Sequence, residues 1–283
     1  MKMVLLAGAT GYLGRYIAKE LYAQNYLTKV LVRNPVKFKS LSIQVNEIMD
    51  AEVTDKCTLR NCCEKVDVVI STIGITKQKD GLTYMDVDYQ ANLNMLEEAK
   101  KSGVKKFIFV SVLNGDKLKH LKICEAKEKF VDELKKSDLD YCIIRPNGFF
   151  SDMSEFLKMA NKGKVYLFGD GNQKSNPIHG GDLAKTCVDA IEKSVKEIEV
   201  GGPEVLTHNQ IAEIAFDTVG RKHKVIHVPD WIRRLLLKIG KLIMNSKRFG
   251  PIEFFMNVMA IDMVAPEYGT HKLKNYFNSL NKN

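Results

Sequence analysis

A five-residue apolar run, Met3–Ala7, leads without a break into Gly8-x-x-Gly11-x-x-Gly14, and an amphipathic segment, Tyr12–Ala23, follows at once. The order of strand, glycine turn and helix leaves few folds open, because it is the opening of a βαβ unit built to hold a dinucleotide phosphate. Gly8 permits the tight turn out of the strand. Gly11 has no side chain to block a pyrophosphate, which then rests on backbone N–H groups at the positive end of the helix. Gly14 lets the helix pack close to the sheet. Thr10, Tyr12 and Leu13 complete the expected phosphate loop, whose spacing is GxxGxxG rather than GxGxxG.

The alternation continues. Strand-like segments at 3–7, 28–33, 44–49, 67–72, 106–112 and 140–144 are separated by helix-like segments at 12–24, 57–64, 86–102 and 125–137. Strands joined through helices imply right-handed crossovers and a parallel sheet covered on both faces. The expected fold class is α/β, a doubly wound parallel (Rossmann) sheet over residues 1–150, with residues 151–283 carrying the remaining core elements interleaved with a small C-terminal cap. After Arg145-Pro146 the periodicity loosens and glycines punctuate short segments. Helices are expected at 182–193 and at 208–219, the latter opened by the capping box Thr207-x-x-Gln210.

Bulk properties exclude several classes. No stretch approaches the roughly 18 to 20 apolar residues of a spanning helix, and we expect no secretory signal. The six cysteines show no CxxC pair and no metal-ligand spacing, so no disulfide and no metal are expected, and a reducing, cytoplasmic setting follows. The net charge of +9 is unevenly placed. Six cations, Arg233, Arg234, Lys238, Lys241, Lys247 and Arg248, lie between Asp230 and Glu253 with no acid among them, interleaved with leucines and isoleucines. Residues 231–248 therefore read as a basic amphipathic helix. Either its apolar face packs on the domain, the commoner arrangement, or it meets an anionic membrane surface or an acidic partner. Nucleic acid is not an expected partner, since no nucleic-acid motif accompanies the charge.

The ends of successive strands carry the candidate contacts. After the second strand stands Arg33, with Lys37 and Lys39 beyond it, where an NAD-preferring fold has an acid. A guanidinium there can fork onto a 2′-phosphate and stack on adenine, which points to NADP(H). Glu52 and Val53 follow the third strand, at the adenine end. Thr72, Ile73 and Gly74 follow the fourth, where the backbone can approach a cofactor, and Ser111 follows the fifth. Pro146, Asn147 and Phe149 follow the sixth, and Phe149, Phe150, Met153, Phe156 and Met159 are either walls of an apolar substrate pocket or, as is commoner, core residues.

Four motifs, Gly8-Ala9-Thr10-Gly11-x-x-Gly14, Val87-Asp88-Tyr89-x-x-Asn92, Phe107–Ser111 and Arg145-Pro146-x-Gly148-Phe149-Phe150, resemble the atypical, NmrA-like branch of the short-chain dehydrogenase/reductase superfamily. Leu167–Gly171, Pro177-Ile178 with Asp182–Ala184, Gly201–Pro203 with Leu206-Thr207, and Ala265–Gly269 are similar to the divinyl chlorophyllide 8-vinyl reductase group. The resemblance implies a Ser…Tyr-x-x-x-Lys site. Ser111 matches the serine and Lys127 the lysine, but the tyrosine position is Ile123. Without that acid, ordinary ketone chemistry is disfavoured, and His120 and Cys124 are alternative proton donors near Lys127. The expectation is an NADP(H)-dependent reductase of a conjugated or apolar small molecule. The alternative is a non-catalytic NADP(H)-binding sensor, regulator or assembly factor.

Overall fold

The computed structural model describes residues 1–76, 78 and 81–281. Two units make up the chain: Met1–Arg145 with Leu183–Ile198, and Pro146–Asp182 with Glu199–Asn283.

In the first unit the strands are β1 (Met3–Ala7), β2 (Leu27–Val32), β3 (Glu47–Asp50), β4 (Val68–Ser71), β5 (Lys106–Val110) and β6 (Asp140–Pro146). β1, β4 and β5 are almost wholly buried because both sheet faces are covered there, whereas the edge strand β3 exposes Glu47 and Asp50. The helices between them are α1 (Tyr12–Ala23), α2 (Pro35–Lys39), α3 (Asn92–Lys101) and α4 (Lys122–Lys136). The sheet order is β3-β2-β1-β4-β5-β6, and the five pairings along it are parallel, with Leu5 level with Lys29 on one side and Val69 on the other. Strand order reverses between β1 and β4, the switch point where such sheets bind ligands beyond their carboxyl ends. A seventh strand, Glu197–Val200, joins the edge beside β6.

Three local expectations are corrected. The segment 57–64 is not an α-helix but a single 3₁₀ turn, Lys56–Leu59, started by the Asp55 carboxylate accepting from the Cys57 N–H. The segment 86–102 begins as a π-helical turn, Met85–Ala91, before α3. Buried Asn92 stabilises that wide turn by donating its amide to the carbonyls of Val87 and Asp88. Strand 106–112 stops at Val110.

The second unit contains α5 (Phe150–Asn161), β7 (Val165–Phe168) and β8 (Lys174–Ser175). The chain then passes through α6 (Gly180–Asp189) and β9, the edge strand Glu197–Val200. It continues with β10 (Leu206–Thr207), α7 (His208–Val219), β11 (Val225–Val228), α8 (Asp230–Ile243), α9 (Ser246–Val258) and α10 (Leu273–Asn281). Phe150, Phe156, Phe216 and Phe277 fill the core of this unit. Thus, of the two roles open to them in the sequence, Phe150 and Phe156 take the packing one. Met153 lines a cavity of about 40 Å³ with Asn147, His208 and Met263, room for a water and not for a substrate. The basic segment 231–248 is two helices, because Asn245 leaves the helical path and caps α9 by accepting from the Lys247 N–H. Its apolar face does not pack on the domain: Trp231, Leu242 and Ile243 are 63%, 85% and 77% exposed.

Candidate functional site

The glycine loop leaves β1 with Gly8 at φ +87°, a conformation that side chains rarely adopt. A Cβ there would also overlap the Thr72 hydroxyl, which donates to the Ala7 carbonyl at 3.1 Å. Gly11 donates to the Gly8 carbonyl at 2.9 Å and precedes α1, whose first turn has no acid to compete for an anion. Gly11 itself has φ −72° and ψ 171°, ordinary extended backbone, and it is exposed. The backbone therefore does not require glycine there, and the one close neighbour of an added Cβ is the Gly8 oxygen, at 3.2 Å. Gly14 is buried, and a Cβ on it would lie 2.8 Å from the Gly8 carbonyl carbon and 2.9 Å from Ala9 Cα. Thr10 holds the loop through its carbonyl, which accepts from Arg15 Nε at 3.0 Å. The Tyr12 ring lies edge-on to Tyr16. Leu13 points into the core, so only its backbone can face a phosphate.

At the next strand ends, Arg33 and Glu52 come together. Arg33 Nη1 lies 3.5 Å from Glu52 Oε2, with the guanidinium about two-thirds exposed. Glu52 also accepts from the Thr54 N–H. Val53 is buried and its carbonyl is taken by the Asn94 amide. Beyond β4, Ile73 is pinned between Ser71 and Asn92.

Gly74 is the point where the loop meets Lys127. A Cβ there would lie 2.6 Å from Asp88 Oδ1 and 2.8 Å from Lys127 Nζ. Lys127 Nζ forms an ion pair with Asp88 Oδ1 at 3.1 Å and sits 5.3 Å over the Phe109 ring. Asp88 is fully buried; burial pushes its carboxyl up, and the Lys127 charge pulls it back. The second oxygen of Asp88 accepts from the Ile75 N–H. Asp88 escaped the sequence reading as a site residue although it lies in the quoted motif; an acid set between Val87 and Tyr89 on a buried helix face was its signal. Ile123 is buried one turn before Lys127, so no hydroxyl stands there. Burial pushes the Cys124 thiol up to about 12, which leaves it a poor donor. His120 is exposed.

Ser111 is placed differently. Its hydroxyl donates to Glu128 Oε1 at 2.9 Å inside a buried network in which Arg145 forks onto both Glu128 oxygens, at 2.6 and 2.8 Å, and bonds Glu197. Burial disfavours the Arg145 charge, but the two glutamates outweigh it and hold the guanidinium above its ordinary value. In the second unit Pro146 and Asn147 are buried, and the Asn147 amide donates to Asn176 Oδ1 and the Met263 carbonyl. The Phe149 N–H donates to Asp152. A larger cleft of about 460 Å³, lined by Lys2, Asp67, Lys106 and Asp140, opens at the amino ends of the strands, away from the glycine loop.

The exposed glycine turn at the start of α1 and the exposed Arg33 guanidinium at the end of β2 suit a dinucleotide, and residues 8–194 match the family described as NAD(P)H-binding. The chain belongs to the NAD(P)H-binding family. It is 28% identical to the chloroplastic divinyl chlorophyllide a 8-vinyl-reductase of Arabidopsis thaliana over 96% of this chain and 73% of that protein. It is 27% identical to the photosystem II assembly factor Ycf39 of Synechocystis over 82% and 72%. In fold it matches AtPrR2 bound to NADP+ and (+)pinoresinol, with a TM-score of 0.80 over 98% of both chains at 18% identity. Among the described residues no helix is long and apolar enough to cross a membrane, and no cluster could hold a metal.

Proposed function

We propose that this chain is an NADPH-dependent reductase of a conjugated, apolar small molecule. The observation that carries this reading is the Lys127–Asp88 pair beside side-chain-free Gly74, with buried Ile123 where the superfamily acid would stand. The glycine loop would hold the pyrophosphate, and the exposed Arg33 fork would hold a 2′-phosphate, so NADP(H) is favoured over NAD(H). Bound NADPH would supply a hydride. Asp88 fixes Lys127, and the ammonium is the fixed positive charge on this side of the loop. A conjugated double bond spreads the charge created by hydride addition, so a nearby ammonium can stabilise it without a hydroxyl acid, and solvent water then supplies the proton that completes the reduction. A simple ketone concentrates that charge on one oxygen, and no hydroxyl at position 123 is there to protonate it. The 8-vinyl-reductase relative, which by its name acts on a vinyl group of a conjugated macrocycle, supports this preference. Six free cysteines, five of them buried, support a reducing, cytoplasmic setting.

The test is steady-state NADPH oxidation against conjugated enones, quinones, vinyl tetrapyrroles and simple ketones. Wild type is expected to reduce a conjugated member and no simple ketone. Lys127→Ala should lower that turnover by on the order of a hundredfold, the usual scale for one positioned catalytic group. Undiminished turnover in Lys127→Ala overturns the role of the lysine. If no compound is reduced while NADPH still binds, the chain is a non-catalytic NADP(H)-binding assembly factor or sensor. The Ycf39 relative and the exposed apolar helix α8, which small-molecule reduction does not require, favour that second reading.

A further inference from the structure

Helix α8 presents an apolar face that none of the described residues covers. With about 100° between residues, Trp231, Leu235, Ile239 and Leu242 fall at i, i+4, i+8 and i+11, and Leu236 and Ile243 widen the stripe to an arc of about 140°. All six are more than 40% exposed. The opposite side is narrow and settled. Arg233 is buried, bonded to Asp230 and to the Met256 carbonyl, and Gly240 lets Phe249 of α9 pack close. One flank of the apolar arc carries Arg234, Lys238 and Lys241. Arg234 pairs with Asp230. Lys238 and Lys241 have no ion-pair partner among the described residues, and Lys247 and Arg248 follow at the start of α9.

We propose that α8 docks this protein on an anionic phospholipid bilayer, lying in the plane of the headgroups. An apolar arc flanked by cations, with a tryptophan in the arc, matches the two layers of such a surface, acyl chains below and phosphates beside. The helix is about 21 Å long, too short to span, so it can only lie flat. A second copy is a poorer occupant, because each copy carries a net charge of +9 and pairing α8 with itself would set like cations against each other. A bilayer supplies the missing negative charge. It also covers isolated leucines and isoleucines without shape complementarity, which a protein partner would need.

Trp231 is the chain's only tryptophan, so its fluorescence reports on this helix alone. The experiment adds phosphatidylcholine vesicles, with or without about one-third phosphatidylglycerol, to the full chain and reads both Trp231 emission and co-sedimentation. The expected result is a blue shift and pelleting with the anionic vesicles, reversed by high salt, and neither with phosphatidylcholine alone. Leu235→Glu/Leu242→Glu should abolish both signals. Lys238→Glu/Lys241→Glu should weaken binding by roughly tenfold or more, since two positive charges beside the phosphates become negative. Circular dichroism and melting temperature should stay unchanged in both variants, since all four side chains are exposed. Unshifted emission with anionic vesicles overturns the proposal. So does a blue shift of equal size with polyglutamate, which would assign an acidic protein partner. A vesicle-free shift that grows with protein concentration and accompanies a doubled mass would instead make the face a self-association surface.

Discussion

A Cβ on Gly14 would lie 2.8 Å from the carbonyl carbon of Gly8, whereas one on Gly11 would meet only the Gly8 oxygen, at 3.2 Å. Gly14 is thus required by the packing of α1 on β1, whereas the backbone at Gly11 makes no comparable demand. Gly11→Val should keep its melting temperature and lose NADPH binding by fluorescence titration, while Gly14→Val should fail to give a cooperatively folded protein. Arg33 carries cofactor choice: Arg33→Ala should weaken NADPH by about 1.5–3 kcal/mol, the usual worth of a hydrogen bond to a charged group, and leave NADH nearly unchanged by calorimetry. Equal wild-type affinity for the two cofactors would refute this. Asp88 predicts a pH effect. Its carboxyl is raised by burial, so it takes up a proton at a pH above the ordinary carboxylate range and ceases to balance Lys127. NADPH-dependent turnover should fall on the acid side through that protonation, and Asp88→Asn should have a lower but flatter acid limb.

Among the elements, α7 shows how one side chain ties a helix to pH. The helix starts at a capping box, Thr207 and Gln210, read from the sequence because both partners are local. Its first residue, His208, is buried near Phe156, and burial lowers the imidazole from 6.5 to about 4. A group depressed in the folded state contributes stability that is present above 6.5 and lost as the pH falls towards 4. At about 1.36 kcal/mol per unit the loss approaches ~3 kcal/mol. Urea unfolding from pH 7.5 to 4 should show that decline in wild type, and His208→Gln should lack this part of it. Helix α5 has no glycine within Phe150–Asn161, and its apolar side, Phe150, Met153, Phe156, Leu157 and Ala160, is given its role by packing against α7. The 3₁₀ turn at Lys56–Leu59 was misread because its apolar and small residues satisfy a helical pattern without the length to propagate one.

For the whole molecule, cofactor binding and folding are linked. NADPH at a hundredfold excess over its Kd should add about 2.7 kcal/mol to unfolding stability, read as a raised melting temperature that Gly11→Val does not share. The chain alone determined the βαβ order, the parallel sheet, the phosphate loop, Arg33 at the end of β2 and the apolar residue at position 123. Those features are encoded by neighbours within a turn or a strand, where periodicity, glycine and residue type act locally. The tertiary structure alone decided that Asp88 faces Lys127, that Glu52 meets Arg33, that Ser111 is drawn into the Glu128–Arg145 network and that Leu183–Ile198 returns to the first unit. It also decided that the apolar face of α8 stays uncovered. Each of these depends on which distant segment arrives beside a residue. Burial and ion pairing are set by that arrival, and no pattern within a dozen residues records it.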